Sequence, residues 1–94
     1  MTDSDIRDRL TALPSWEYRE GALHRELRFP TFADAFSFLT SVAFAAERLN
    51  HHPEWSNVYD KVTIRLTTHD AGGVTDADFA LAGEISAIHR RYGA

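Results

Sequence analysis

The stretch WEYREGALHRELRF, Trp16 to Phe29, decides how this chain folds. Trp16 and Tyr18 alternate with Glu17 and Arg19, the two-residue period of a half-buried strand. Gly21-Ala22 supplies a turn, and beyond it Leu23, Arg25, Leu27 and Phe29 alternate with His24, Glu26 and Arg28. So short a connection predicts an antiparallel hairpin. His24 falls among charged residues on the polar parity, which predicts a solvated surface histidine.

A second pair of strands is predicted further on, over Trp55–Asp60 and Val62–Thr68, with a tight turn around Asp60-Lys61. In the latter strand Val62, Ile64 and Leu66 alternate with Thr63, Arg65 and Thr67. His69 stands at its end, before the turn-forming Asp70-Ala71-Gly72-Gly73. Three helices surround these hairpins. Ile6, Leu10 and Leu13 share one face of a helix over 4–13, with Ser4 as cap and Pro14 as stop. Pro30 and Thr31 open the longest helix, 32–50. Its Phe32, Phe36, Leu39, Ala43, Ala46 and Leu49 form one stripe, Phe38, Val42 and Ala45 a second, and Phe44 widens the apolar arc. That arc exceeds what one sheet face needs, so part of it is expected to be a subunit interface. The last helix starts at Thr75 in a capping-box-like Thr75-Asp76-Ala77-Asp78 and buries Leu81, Ile85, Ile88 and Tyr92. His89 is expected to be a residue of its C-terminal cap region, where the helix dipole favours positive charge. The order α-β-β-α-β-β-α predicts an α+β fold, a four-stranded antiparallel sheet with helices packed on one face.

Composition narrows the function. With 94 residues the chain is expected to be one domain, 1–94, small enough to gain from oligomerisation. A formal charge of −4 and scattered Lys and Arg argue against nucleic acid as a ligand. The absence of cysteine excludes disulfides and thiolate metal sites. The acidic opening, Met1 to Ile6, lacks the pattern of a targeting peptide, and no apolar run reaches the ~20 residues that cross a bilayer. A cytoplasmic, membrane-free protein is expected.

Chemistry concentrates in Glu47-Arg48-Leu49-Asn50-His51-His52-Pro53-Glu54-Trp55, with His69 and Asp78 placed to return to it. Glu47 and His51, four residues apart, are expected on one face of the last helical turn, with His52 directed elsewhere by Pro53. Histidine exchanges protons near neutrality, so several imidazoles in one cleft suit general acid–base catalysis, with a carboxylate such as Glu47 orienting one of them. A metal site is a second possibility, although adjacent histidines diverge and rarely share an ion. In a third, His51 merely caps the helix as a cation and Asp78 caps the next one.

The spacing Glu47-x-x-x-His51-His52-Pro53, then Tyr59, His69 and Asp78, resembles the signature of the pterin-4a-carbinolamine dehydratases. The flanking Trp55-Ser56-Asn57-Val58-Tyr59-Asp60-Lys61-Val62 and Thr67-Thr68-His69 fit as well. The resemblance implies the fold read above, in dimers or tetramers. It implies dehydration of 4a-hydroxytetrahydropterin to quinonoid dihydropterin, recycling the pterin of aromatic amino acid hydroxylases, with no metal or other cofactor. By position, His51 and His69 are expected to form the acid–base pair and His52 to contact the pterin and assist. Glu47 and Asp78 are expected to orient imidazoles or bind the ring's polar edges, and Pro53 and Trp55 to complete the substrate site. The same resemblance carries an alternative, a non-catalytic dimerisation or assembly cofactor on this scaffold, because fold alone does not fix function.

Overall fold

In the computed structural model, which describes residues 1–92, four strands form one antiparallel sheet: β1 (Glu17–Arg19), β2 (Ala22–Arg28), β3 (Glu54–Val58) and β4 (Lys61–Leu66). Their spatial order is β1-β2-β4-β3, so each hairpin lies beside the other through the central β2–β4 pair. The helices are α1 (Asp3–Leu10), α2 (Phe32–Leu49) and α3 (Asp76–Arg90), giving the α-β-β-α-β-β-α order. Gly93 and Ala94, the last positions of the expected domain, lie outside the described residues.

The turns fall one residue earlier than the sequence suggests. Arg19 pairs with Ala22, so Glu20-Gly21 is the first loop, with φ of 52° and 73°. Two successive left-handed residues match the twist of a tight hairpin, and Gly21 takes that conformation without a Cβ penalty. In the second hairpin Val58 pairs with Lys61, and Tyr59 (φ 53°) turns the chain. The Asn57 amide holds that turn by donating to the carbonyls of Tyr59 (3.1 Å) and Lys61 (2.9 Å). Helix α1 also begins earlier than expected. Thr2, not Ser4, is its cap: the hydroxyl of Thr2 accepts from the Asp5 amide and the Asp5 carboxylate accepts from the Thr2 amide. It stops at Leu10, well before Pro14, and Leu13 packs against the core from the following turn.

The core lies between one sheet face and the helices. Leu23, Leu27, Val62, Ile64 and Leu66 meet Phe38, Leu39 and Val42 of α2 and Leu81, Ile85 and Ile88 of α3. The opposite parity carries His24, Glu26, Arg28, Thr63 and Arg65, as alternation requires. Helix α2 divides differently from the two predicted stripes. Ala35, Phe38, Leu39, Val42, Ala45 and Ala46 are buried, whereas Phe32, Phe36 and Phe44 are half or more exposed (50, 59 and 73%). Among the described residues no helix is long and apolar enough to cross a membrane.

His89 is more than a cap-region residue. Its ring stands edge-on to Phe29 and Phe38 (centroids 5.8 and 6.0 Å), and its Nδ1 accepts from Arg25 Nη2 at 3.1 Å. Burial, then the Arg25 charge, lowers its pKa, and Arg90 next to it in sequence adds a further cation. Below the unfolded pKa of about 6.5 the unfolded chain takes a proton that the folded imidazole refuses. Stability from this group is therefore complete above that pH and lost progressively as pH falls below it and through the lowered folded-state pKa. Melting temperature is expected to drop as pH falls below about 6.5 more steeply in the wild type than in His89→Gln. Parallel curves for the two proteins would remove His89 as the cause.

Candidate active site

The site begins where α2 ends. Asn50 adopts a left-handed conformation (φ 52°), its N–H bonds to the Glu47 carbonyl at 3.1 Å, and the His51 N–H reaches back to the Ala46 carbonyl at 3.0 Å. This pair of bonds is a Schellman closure, and it turns His51 off the helix. Glu47 and His51 therefore do not pair as their four-residue spacing predicts. Glu47 Oε1 instead accepts from His52 Nε2 at 2.7 Å, on the exposed rim.

His51 crosses to the start of α3, where its Nε2 lies 2.5 Å from Asp78 Oδ1. Asp78 is the one buried charged residue among those described, with no exposed surface. Its second oxygen accepts from the Thr75 N–H (2.9 Å), the carboxylate half of a capping box, and from the Thr68 hydroxyl (2.8 Å). Because the single Thr68 proton is used on Asp78, the Thr75 hydroxyl donates in the 2.8 Å contact between the two threonines. Both carboxylate oxygens thus have donors, one on Oδ1 and two on Oδ2. Asp78 is both a helix cap and the anchor of His51, two roles the sequence presented as alternatives.

The third histidine comes from the loop after β4. Thr68 and Gly73 exchange backbone hydrogen bonds (3.0 and 3.3 Å), and Gly72 takes a left-handed φ of 70°. The 3-10 turn His69–Ala71 is pinched between them, which leaves the His69 side chain 79% exposed. Its Nε2 lies 3.5 Å from Glu54 Oε1, an oxygen that also accepts from Arg65 Nη1 at 3.2 Å.

His51, His52 and His69 line one open cleft of about 290 Å³, with Asn50, Thr67, Thr68 and Asp70. Two of the imidazoles are hydrogen-bonded through Nε2 to different carboxylates, His51 to Asp78 and His52 to Glu47, while His69 comes only within ion-pair distance of Glu54. An Nε2–H donated to a carboxylate leaves Nδ1 as the nitrogen that can exchange a proton with a ligand. Among the described residues no group of three His, Asp or Glu side chains converges as a metal site would require. Pro53 and Trp55 do not line this cleft. Trp55, 40% exposed on the edge strand, lines a neighbouring hollow with His24, Glu54 and Arg65. Thr68 and Glu54 are site residues that sequence reasoning missed. Glu54 could have been found from its cross-strand pairing with Arg65.

Comparison with known proteins follows the same lines. The family described as pterin 4 alpha carbinolamine dehydratase matches residues 1–88. The chain is 49% identical to a provisionally named pterin-4-alpha-carbinolamine dehydratase of Solibacter usitatus over 88 residues, 94% of this chain and 93% of that one. It is 51% identical to one of Rhizorhabdus wittichii over 90 residues, at the same coverages of 94% and 93%. A crystal structure of a transcriptional coactivator/pterin dehydratase from Brucella melitensis superposes with TM-score 0.90 at 39% identity, covering 94% of this chain and 96% of that one. A pterin dehydratase-like protein identified as a RuBisCO assembly factor in the alpha-carboxysome shares the fold at TM-score 0.64 and 22% identity, over 78% of this chain and 84% of its own.

Proposed function

This chain belongs to the pterin-4a-carbinolamine dehydratase family, and from that premise we propose that it dehydrates 4a-hydroxytetrahydropterin to quinonoid dihydropterin by histidine acid–base catalysis. The observation that carries the reading is the cleft itself, where three imidazoles meet, two of them hydrogen-bonded to their own carboxylates and the third, on the loop, within ion-pair reach of Glu54. In the reaction the C4a–O bond breaks, the hydroxyl leaves as water after gaining a proton, and the N5 proton is removed. One group must donate while another accepts, and two separately anchored imidazoles meet that need. His51 and His69 are the acid–base pair, one on a rigid buried anchor and one on an exposed loop. His52 contacts the pterin and assists. Asp78 and Glu47 orient His51 and His52, and Glu54 orients His69. Pro53 and Trp55 stand outside this cleft, so a substrate role for them would require the pterin to extend past it toward the β3 edge. Both proton transfers are met by side chains, so the reaction calls for no cofactor. The product would feed a reductive recycling step for aromatic amino acid hydroxylation in the cytoplasm. The test is the rate of 4a-hydroxytetrahydropterin dehydration with purified protein; a folded protein giving only the spontaneous rate would sink the reading.

A second role is favoured by one feature, the exposed row Phe32, Phe36 and Phe44 on α2. The Phe32 and Phe36 rings lie side by side, tilted at 38° with centroids 6.1 Å apart, and Thr40 continues the row between them and Phe44. Such a row suits a homodimer or homotetramer, or docking as an assembly cofactor. The double variant Phe36→Glu, Phe44→Glu is expected to lower the assembly mass to that of a monomer in sedimentation equilibrium, with the helix content kept. A wild-type protein that is itself monomeric would contradict the self-association.

A further inference from the structure

On the flank of the fold away from His51, His52 and His69, α3 and the α1–β1 connection frame a cavity of about 250 Å³ lined by Pro14, Ser15, Arg25, Ser86, His89 and Arg90 among others. Asp78 and His89 lie at opposite ends of α3, about 16 Å apart at the usual rise per residue. Arg25 sits on the core-facing parity of β2, between Leu23 and Leu27, so its side chain is committed to the space beneath α3. Its Nη1 donates to Ser86 Oγ and its Nη2 to His89 Nδ1, both at 3.1 Å. The Trp16 indole N–H donates to the same Ser86 oxygen at 3.1 Å, and the guanidinium carbon lies 6.0 Å from the Trp16 ring centroid. A guanidinium has five N–H donors, so about three remain for the cavity.

What this arginine lacks is a counter-charge. Arg9, Arg28, Arg48 and Arg65 meet Asp76, Asp60, Glu84 and Glu54 respectively. Among the described residues no carboxylate lies within ion-pair distance of Arg25 or Arg90. Burial, then the neighbouring charge of Arg90, weakens the hold of Arg25 on its proton, yet a guanidinium stays charged in proteins. A half-buried, unpaired cation next to a second cation is costly unless something negative joins them.

We propose that Arg25 and Arg90, with Ser15 on the rim, form a binding site for a small oxyanion, a phosphate or the phosphate of a phosphomonoester. The guanidinium fork is already fixed by Ser86, His89 and Trp16, so it loses little freedom on binding a planar pair of oxygens. The cavity is larger than a phosphate group needs, holding about eight waters at their bulk volume, which leaves room for part of an attached organic group.

The test is titration of the full chain with inorganic phosphate at constant ionic strength, followed by NMR of the two indole N–H resonances and the Arg25 guanidinium. The Trp16 and Arg25 signals are expected to shift saturably while Trp55 stays in place. Arg25→Lys is expected to weaken binding about tenfold, through loss of the fork. Arg90→Ala, an exposed substitution that folds regardless, should weaken it several-fold and leave pterin dehydration unchanged. Glycerol phosphate in place of phosphate reads the ligand's source: tighter binding points to a phosphomonoester, equal binding to free phosphate. Shifts that do not saturate, that move Trp55 equally, or that persist unchanged in Arg90→Ala would overturn the site.

Discussion

His51→Ala is expected to cut the rate of 4a-hydroxytetrahydropterin dehydration by about 100-fold or more, within the range that a positioned acid or base contributes. The expectation rests on geometry. His51 is the one imidazole of the cleft that is largely buried, and its carboxylate partner is held in turn by three donors, His51 among them. Its ring is therefore the best positioned of the three. Removing it also strips Asp78 Oδ1 of its partner, which should cost about 1–3 kcal/mol of stability. His52→Ala and His69→Ala, both exposed, should lower the rate with little change in melting temperature. A His51→Ala protein within threefold of the wild-type rate would rule out His51 as acid or base.

The second large effect is at Asp78, where two substitutions separate folding from chemistry. Asp78→Ala leaves the Thr68 hydroxyl, the Thr75 N–H and His51 Nε2 without their acceptor in a buried place. A loss of about 3–5 kcal/mol is expected, as for a buried charge pair broken on one side. For a domain of this size, that lowers the melting temperature by more than about 10 °C. Asp78→Asn keeps the shape. Its carbonyl can still serve Thr68 and Thr75, but its amide then faces His51 Nε2 and demands an acceptor there. The imidazole must carry its proton on Nδ1, the nitrogen the reaction needs free. Asp78→Asn is therefore expected to retain most of the stability and lose most of the rate. Equal rates in Asp78→Asn and wild type would show that the tautomer of His51 is immaterial.

Much of this was legible in the sequence. Strand parity placed Leu23, Leu27, Val62, Ile64 and Leu66 in the core, because alternation against charged neighbours has one solution on a sheet with one covered face. The surplus of apolar residues on α2 was visible too, although which phenylalanines were surplus was not. Phe36 and Phe38 differ by two positions on a helix, and only the approach of α3 and the sheet decides between them. Pairing in the site was harder to read. The Glu47–His51 spacing looked helical because the helix was read through residue 50; Asn50, the commonest left-handed helix stop after glycine, was the signal that went unread. Asp78 looked like any capping acid, since a capping box has the same spelling whether exposed or buried. Thr68 was invisible for a related reason: its role depends on β4 and α3 meeting across the whole intervening loop.

The sharing of Asp78 between helix cap and imidazole has a bearing on how such a chain could change under selection. A lineage that dropped the chemistry would still be obliged to keep an acceptor at position 78 for Thr68 and Thr75, because its loss is felt as misfolding whatever the protein is used for. His52 and His69 carry no such obligation, and drift would erase them first. In sorting descendants of this scaffold into working enzymes and repurposed ones, the buried aspartate is therefore the poorer witness, and the two exposed histidines are the informative positions.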